Sequence, residues 1–174
     1  MEEQKVMTHI TKGLLVALVL IIIGLVGRFT GVETAGWFRW LPLMILLIAV
    51  IWACTSYASQ MNNYVTFGNV FSHGFRMTAV ATIILVLWGV LAITVIFPDS
   101  KERALEIARK QMEDGGKLSE SQIEQALDFT RRSFFVLVVG VTLFGTLIAG
   151  LIASLIGAAV AKKKPVNPLD QMSI

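Results

Sequence analysis

Four long apolar runs decide what this chain can fold into. A helix needs about 20 mostly apolar residues to traverse a hydrocarbon core of about 30 Å, and residues 10–29, 37–57, 77–97 and 133–161 each meet that length. In lipid the backbone finds no water, so a spanning segment has to satisfy its amides and carbonyls internally, which a helix does. The expected fold is therefore all-α: one domain over residues 1–174, an integral membrane four-helix bundle with a charged extramembrane helical hairpin at 99–132.

Local signals place the ends of these helices. Lys12 sits near the start of the first run, where its long stem can carry the charge toward the headgroups, and Glu2 and Glu3 argue against a cleaved basic leader, so the run is expected to stay as a span. Pro42 falls in the first turns of the second run, the part of a helix that tolerates proline, and Pro98 and Asp99 end the third. Ser119 with Gln122, or Ser121 with Glu124, offers a capping box, after which nothing interrupts a helix that continues through the fourth run. In the hairpin, Leu105, Ala108 and Met112 form a thin apolar stripe, which Ile123, Leu127 and Phe129 could meet from a second helix.

Composition narrows the function classes. Charged residues make up 16% of the chain, against about 25% in a soluble domain. A net charge of +3, concentrated at Lys162, Lys163 and Lys164, is too small for a nucleic-acid reader and suits a membrane surface. Cys54 is the sole cysteine, which excludes an internal disulfide and a thiolate metal cluster. By the positive-inside rule the hairpin side, with nine cations counting Arg28 and Arg39, outweighs the six on the side of the termini, among them Lys5, Lys12 and Arg76. The uninterrupted lysine cluster is nevertheless a strong local anchor, whereas the hairpin cations are interleaved with eight carboxylates, and the termini are expected in the cytoplasm.

Candidate interaction residues fall in two places. Phe67, Phe71 and Phe75 repeat every fourth position and share a helical face, as expected of an interfacial half-helix that keeps Asn69, Ser72 and His73 toward water. In the fourth span Gly145, Ala149, Ala153 and Gly157 make one small-residue row, and Gly150 and Ser154 belong to the row beside it. Such rows let helix backbones approach closely in lipid, either inside one chain or between copies.

Catalytic and cofactor signals are weak. His9 and His73 fall on the same side of the membrane, but both lie at span boundaries without further ligands, so no haem, metal or other cofactor is expected. Cys54, Ser56 and Tyr57 have no histidine or carboxylate near them in sequence, and a free thiol buried in apolar surroundings is inert. Glu120, Glu124 and Asp128 follow a helical spacing that reads as a solvated face rather than a cation site. The span interiors read as uncharged, which argues against an ion-coupled carrier acting alone; an uncharged path could still be lined by Thr82, Thr94, Thr142, Thr146 and Ser154.

The stretch Val65-Thr66-Phe67-Gly68 with Phe71, Gly74 and Phe75, the Phe97-Pro98 end of the third span, the charged hairpin and the closing lysines together resemble a bacterial family of four-span membrane proteins, domain of unknown function 4199. The resemblance covers nearly the whole chain. It implies a multi-pass protein of the bacterial inner membrane without an assigned activity, and it supplies no catalytic residues. The matching positions Phe67, Gly68, Phe71, Gly74 and Phe75 are then the candidate interaction motif. The expected function is non-enzymatic binding of membrane lipid, other membrane proteins or a second copy, and the alternative is a subunit of a transporter or channel complex.

Overall fold

The computed structural model describes residues 7–164 and is all-helical there. Glu2, Glu3 and Lys5, used above for the leader and for sidedness, lie outside the described residues. The helices are α1 (His9–Thr30), α2 (Leu41–Gln60), α3 (Phe67–Leu91, continued by a π-helical turn Ala92–Ile96), α4 (Ser100–Gly115) and α5 (Glu120–Val160). Four of them, all but α4, are long and apolar enough to cross a membrane, which makes this a multi-pass membrane protein.

The ends follow the sequence chemistry. Thr8 caps α1 by accepting from the Thr11 amide at 3.2 Å, and Gly31 closes it at φ 75°, a left-handed conformation that glycine adopts without a Cβ clash. A separate 3-10 turn, Phe38–Trp40, precedes α2, so the α-helix begins four residues after the expected start at 37, with Pro42 in its first turn. Asn62 and Asn63 take positive φ, a state asparagine tolerates better than most residues, and this turns the chain from α2 into α3. Thr66 then accepts from the Asn69 amide at 3.2 Å and starts α3 ten residues before the expected span at 77. At α5 the capping box forms on the first of the two sequence alternatives: the Ser119 amide donates to Gln122 Oε1 at 2.9 Å, and the Gln122 amide to Ser119 Oγ at 3.4 Å. The 41 residues of α5 rise about 60 Å, twice the hydrocarbon thickness of about 30 Å.

The chain divides into two compact units. One comprises residues up to Ile84 and from Gly145 onward; the other is Leu85–Phe144. In the first, small residues bring four helices together. A Cβ on Gly74 would meet Cys54 Sγ at 2.5 Å and Ser154 Oγ at 2.9 Å, so α3 presses on α2 and α5 there. A Cβ on Gly157 would lie 2.7 Å from that of Cys54, and one on Gly150 would collide with Thr78. A Cβ on Gly13 would stand 2.8 Å from the Met77 carbonyl oxygen, so α1 presses on α3 there. The polarity of this unit is inside out. Lys12, His73, Thr78, Thr82 and Ser154 are buried, while Ile22, Ile48 and Ile83 are at least half exposed, as expected where the solvent is lipid.

In the second unit Leu105, Ile123 and Leu127 are buried against one another, with Ala108 and Met112 packed at the side. Phe129 departs from the expected contact set: it is 63% exposed, because it lies on the other side of α5 from Ile123 and Leu127.

Candidate functional site

Polar side chains of three helices in the first unit converge on a cleft of about 260 Å³ lined by His9, Tyr57, Asn69, Ser72, His73 and Arg76. The spacing of the α3 members explains the convergence, since 69, 72, 73 and 76 follow i, i+3, i+4, i+7 and share a helical face. His73 does not face water as expected. It is only 8% exposed, stacked on Tyr57 with ring centroids 4.2 Å apart and edge-on to His9 at 6.0 Å. Its Nε2 atom is buried without a hydrogen-bond partner among the described residues.

Behind the cleft lies a second departure from the sequence reading. Lys12 does not carry its charge to the headgroups; it is 1% exposed. Its Nζ donates to the Ala53 carbonyl at 3.3 Å and to Ser56 Oγ at 3.4 Å, and stands 5.6 Å from the centre of the Trp52 ring. The interior of this span therefore holds a cation. Among the described residues of the unit Glu33 is the only carboxylate, and it lies 21 positions along the chain from Lys12, about 30 Å at helical rise. Lys12, His9 and Arg76 are the ionisable neighbours whose fields act on His73, so among the described residues the charge here is positive or neutral throughout. The sequence signal was present in the i,i+3 pair His9 and Lys12 and in the polar face of α3, but each could equally have marked a helix at the water boundary.

The aromatic motif divides between two roles. Phe67, Phe71 and Phe75 form a ladder of nearly parallel rings, with centroids 6.5 and 6.0 Å apart and interplanar angles of 4° and 8°. Phe67 is 44% exposed, and the other two are half-buried. Lys163 Nζ stands 5.7 Å over the Phe67 ring and Lys164 Nζ 5.1 Å over that of Tyr64, while the Lys164 amide donates to the Asn63 carbonyl at 2.8 Å. The lysine cluster is thus folded onto the outer end of the ladder. Gly68 is exposed, and a Cβ there would meet only Thr66 Oγ1 at 3.9 Å, an ordinary contact, whereas Gly74 faces inward as described.

The small-residue rows of α5 also divide. Ala149, Gly150, Ala153, Ser154 and Gly157 are buried within the chain, and Gly145 is exposed with open space where a Cβ would stand. Of the uncharged path, Thr82 and Thr94 donate to carbonyls of their own helix, Thr78 and Val90, and Ser154 Oγ is buried without a partner among the described residues. The Cys54 thiol is buried and donates to the Val70 carbonyl at 3.7 Å. Glu124 is paired with Arg109 and Asp128 with Arg132. No group of three His, Cys, Asp or Glu side chains converges among the described residues; His9 and His73 meet as a pair.

Residues 11–163 match the family described as Protein of unknown function (DUF4199). The match spans most of the chain, and the chain belongs to that family. No curated protein and no solved structure matches it.

Proposed function

We propose that this member of the family is a non-enzymatic membrane protein that works by binding membrane components, foremost acidic phospholipid along the Phe67–Phe71–Phe75 ladder. The observation that carries the reading is the placement of Lys163 and Lys164 over Phe67 and Tyr64 at the outer end of that ladder. Lysines at a membrane surface attract acidic headgroups by about 1 kcal/mol each, and an aromatic strip running down the helix from them offers a track for an acyl chain. Other membrane proteins would meet the hairpin, where Phe129 is exposed. The same reading sets the chain in the inner membrane of a bacterium, with both termini cytoplasmic.

Lipid analysis of protein purified in mild detergent tests it. Acidic phospholipid should be enriched over zwitterionic phospholipid relative to the source membrane, and the double variant Lys163→Gln/Lys164→Gln should lose that enrichment. Equal retention of both lipid classes, unchanged in the variant, would refute the reading.

Lys12 supports a second reading, a transporter or channel subunit, because a charge inside a span commonly marks a conducted or coupled species. Anion flux into liposomes above the empty-vesicle rate, lost in Lys12→Met, would favour it over the first.

A further inference from the structure

The cleft between α1, α2 and α3 is distinct from the aromatic ladder. On α3 the ladder residues and the cleft residues lie on different faces: at 100° per residue, Phe71 and Arg76 stand about 140° apart. The cleft has its own chemistry. Arg76 brings a guanidinium with five N–H donors, and Ser72, Asn69 and Tyr57 add hydroxyl and amide donors. His73 contributes a ring nitrogen that is buried and unpartnered among the described residues, and an unsatisfied buried polar atom is costly unless something comes to meet it. Lys12 holds a positive charge behind the wall, and among the described residues no carboxylate lines the cleft.

Convergent donors, surplus positive charge and no acidic side chain are the requirements for holding an oxyanion. A guanidinium fork matches the paired oxygens of a phosphate, and the charge assistance makes such bonds short and strong. A bound cation would have to face Lys12, Arg76 and two imidazoles with no counter-charge among the lining groups. A neutral ligand would leave the Arg76 and Lys12 charges unused.

From this we infer that the cleft formed by His9, Tyr57, Asn69, Ser72, His73 and Arg76 is a phosphate-binding site, which takes either free phosphate or the phosphate of a lipid headgroup. Arg76 and the hydroxyls of Ser72 and Tyr57 donate to the phosphate oxygens, His73 Nε2 supplies a further donor, and the buried Lys12 charge adds attraction from behind. The site goes beyond the lipid track proposed above and stands on different residues.

The two histidines are the only ones in the chain, so histidine ring nitrogens labelled with nitrogen-15 report on the cleft directly. Detergent-purified protein would be titrated separately with inorganic phosphate, with dihexanoyl phosphatidylglycerol and with dihexanoyl phosphatidylcholine. A saturable shift of the His73 ring resonances with inorganic phosphate assigns free phosphate as the source. The same shift with phosphatidylglycerol alone assigns a lipid headgroup. Either way Arg76→Gln should weaken binding at least tenfold, Arg76→Lys should restore part of it, and Lys163→Gln/Lys164→Gln should leave it unchanged. Arg76 is exposed, so these variants should fold, which thermal unfolding checks. No shift at His73 with either anionic probe, an equal shift with phosphatidylcholine, or unchanged binding in Arg76→Gln would each overturn the site. Loss of binding in the lysine variant alone would also overturn it, and would leave the ladder reading standing.

Discussion

Replacing Lys12 by methionine should stabilise the protein, although it removes two hydrogen bonds. The Nζ contacts to Ala53 and Ser56 are 3.3 and 3.4 Å long, beyond the usual range of about 2.7–3.2 Å. Bonds to a charged group contribute about 1.5–3 kcal/mol each at good geometry, so these two together supply roughly 2–3 kcal/mol, with about 0.5–1 kcal/mol more from the Trp52 face. Against them stands the cost of holding an ammonium out of water, several kcal/mol per ion, with no carboxylate near it among the described residues to offset the charge. Methionine can follow the same track through the packed interior and carries neither the charge nor its desolvation. We expect a gain of about 1–4 kcal/mol, the range seen when buried ion pairs are exchanged for apolar residues of similar volume. For a chain of this size that is a rise in Tm of at least about 2–4 °C. The sole thiol, Cys54, is 0% exposed, so a fluorogenic thiol reagent reads the unfolding directly. A fall in Tm of about 4 °C or more would refute the reasoning and make Lys12 a structural tie.

The small-residue row gives a paired test. Gly74→Val should destabilise by at least about 1–3 kcal/mol through overpacking, because a Cβ there already meets Cys54 Sγ at 2.5 Å, while Gly145→Val, with nothing within 4 Å, should change Tm little in the same thiol assay. Leu105→Ala should loosen the hairpin by about 2–5 kcal/mol, read as faster amide exchange in α4 and the start of α5, since Leu105 is 6% exposed in that cluster. Arg109→Ala should cost only about 0.2–1 kcal/mol by the same measurement, because the Arg109 and Glu124 side chains are 40% and 61% exposed.

Span number and helix type were readable because lipid demands long, internally bonded apolar segments, and the two overlapping capping boxes, Ser119 with Gln122 or Ser121 with Glu124, placed the start of α5 to within two residues. The direction in which each polar side chain turns was not readable. At the end of a span, a lysine or histidine in the right register can either reach the headgroups or turn into the bundle, and both choices have the same sequence pattern. Lys12 and His73 took the inward choice, because Ala53, Ser56 and Tyr57 on α2 offered partners that one-dimensional spacing does not reveal. The glycines carry the same ambiguity. Gly145 and Gly157 continue one row in the sequence, yet only Gly157 meets another helix, because α5 is longer than the stretch that packs in the first unit. The ladder of Phe67, Phe71 and Phe75 was legible as a shared face, but the lysines standing over its outer end depend on how the chain returns after α5.

Carbene photo-crosslinking with a phosphatidylglycerol that carries a diazirine on its acyl chain addresses the lipid track most directly. Adducts mapped by peptide mass spectrometry should concentrate on residues 67–75 of α3 and fall away in Lys163→Gln/Lys164→Gln. Adducts spread evenly over exposed apolar positions such as Ile22, Ile48 and Leu87, with no dependence on the lysines, would contradict it.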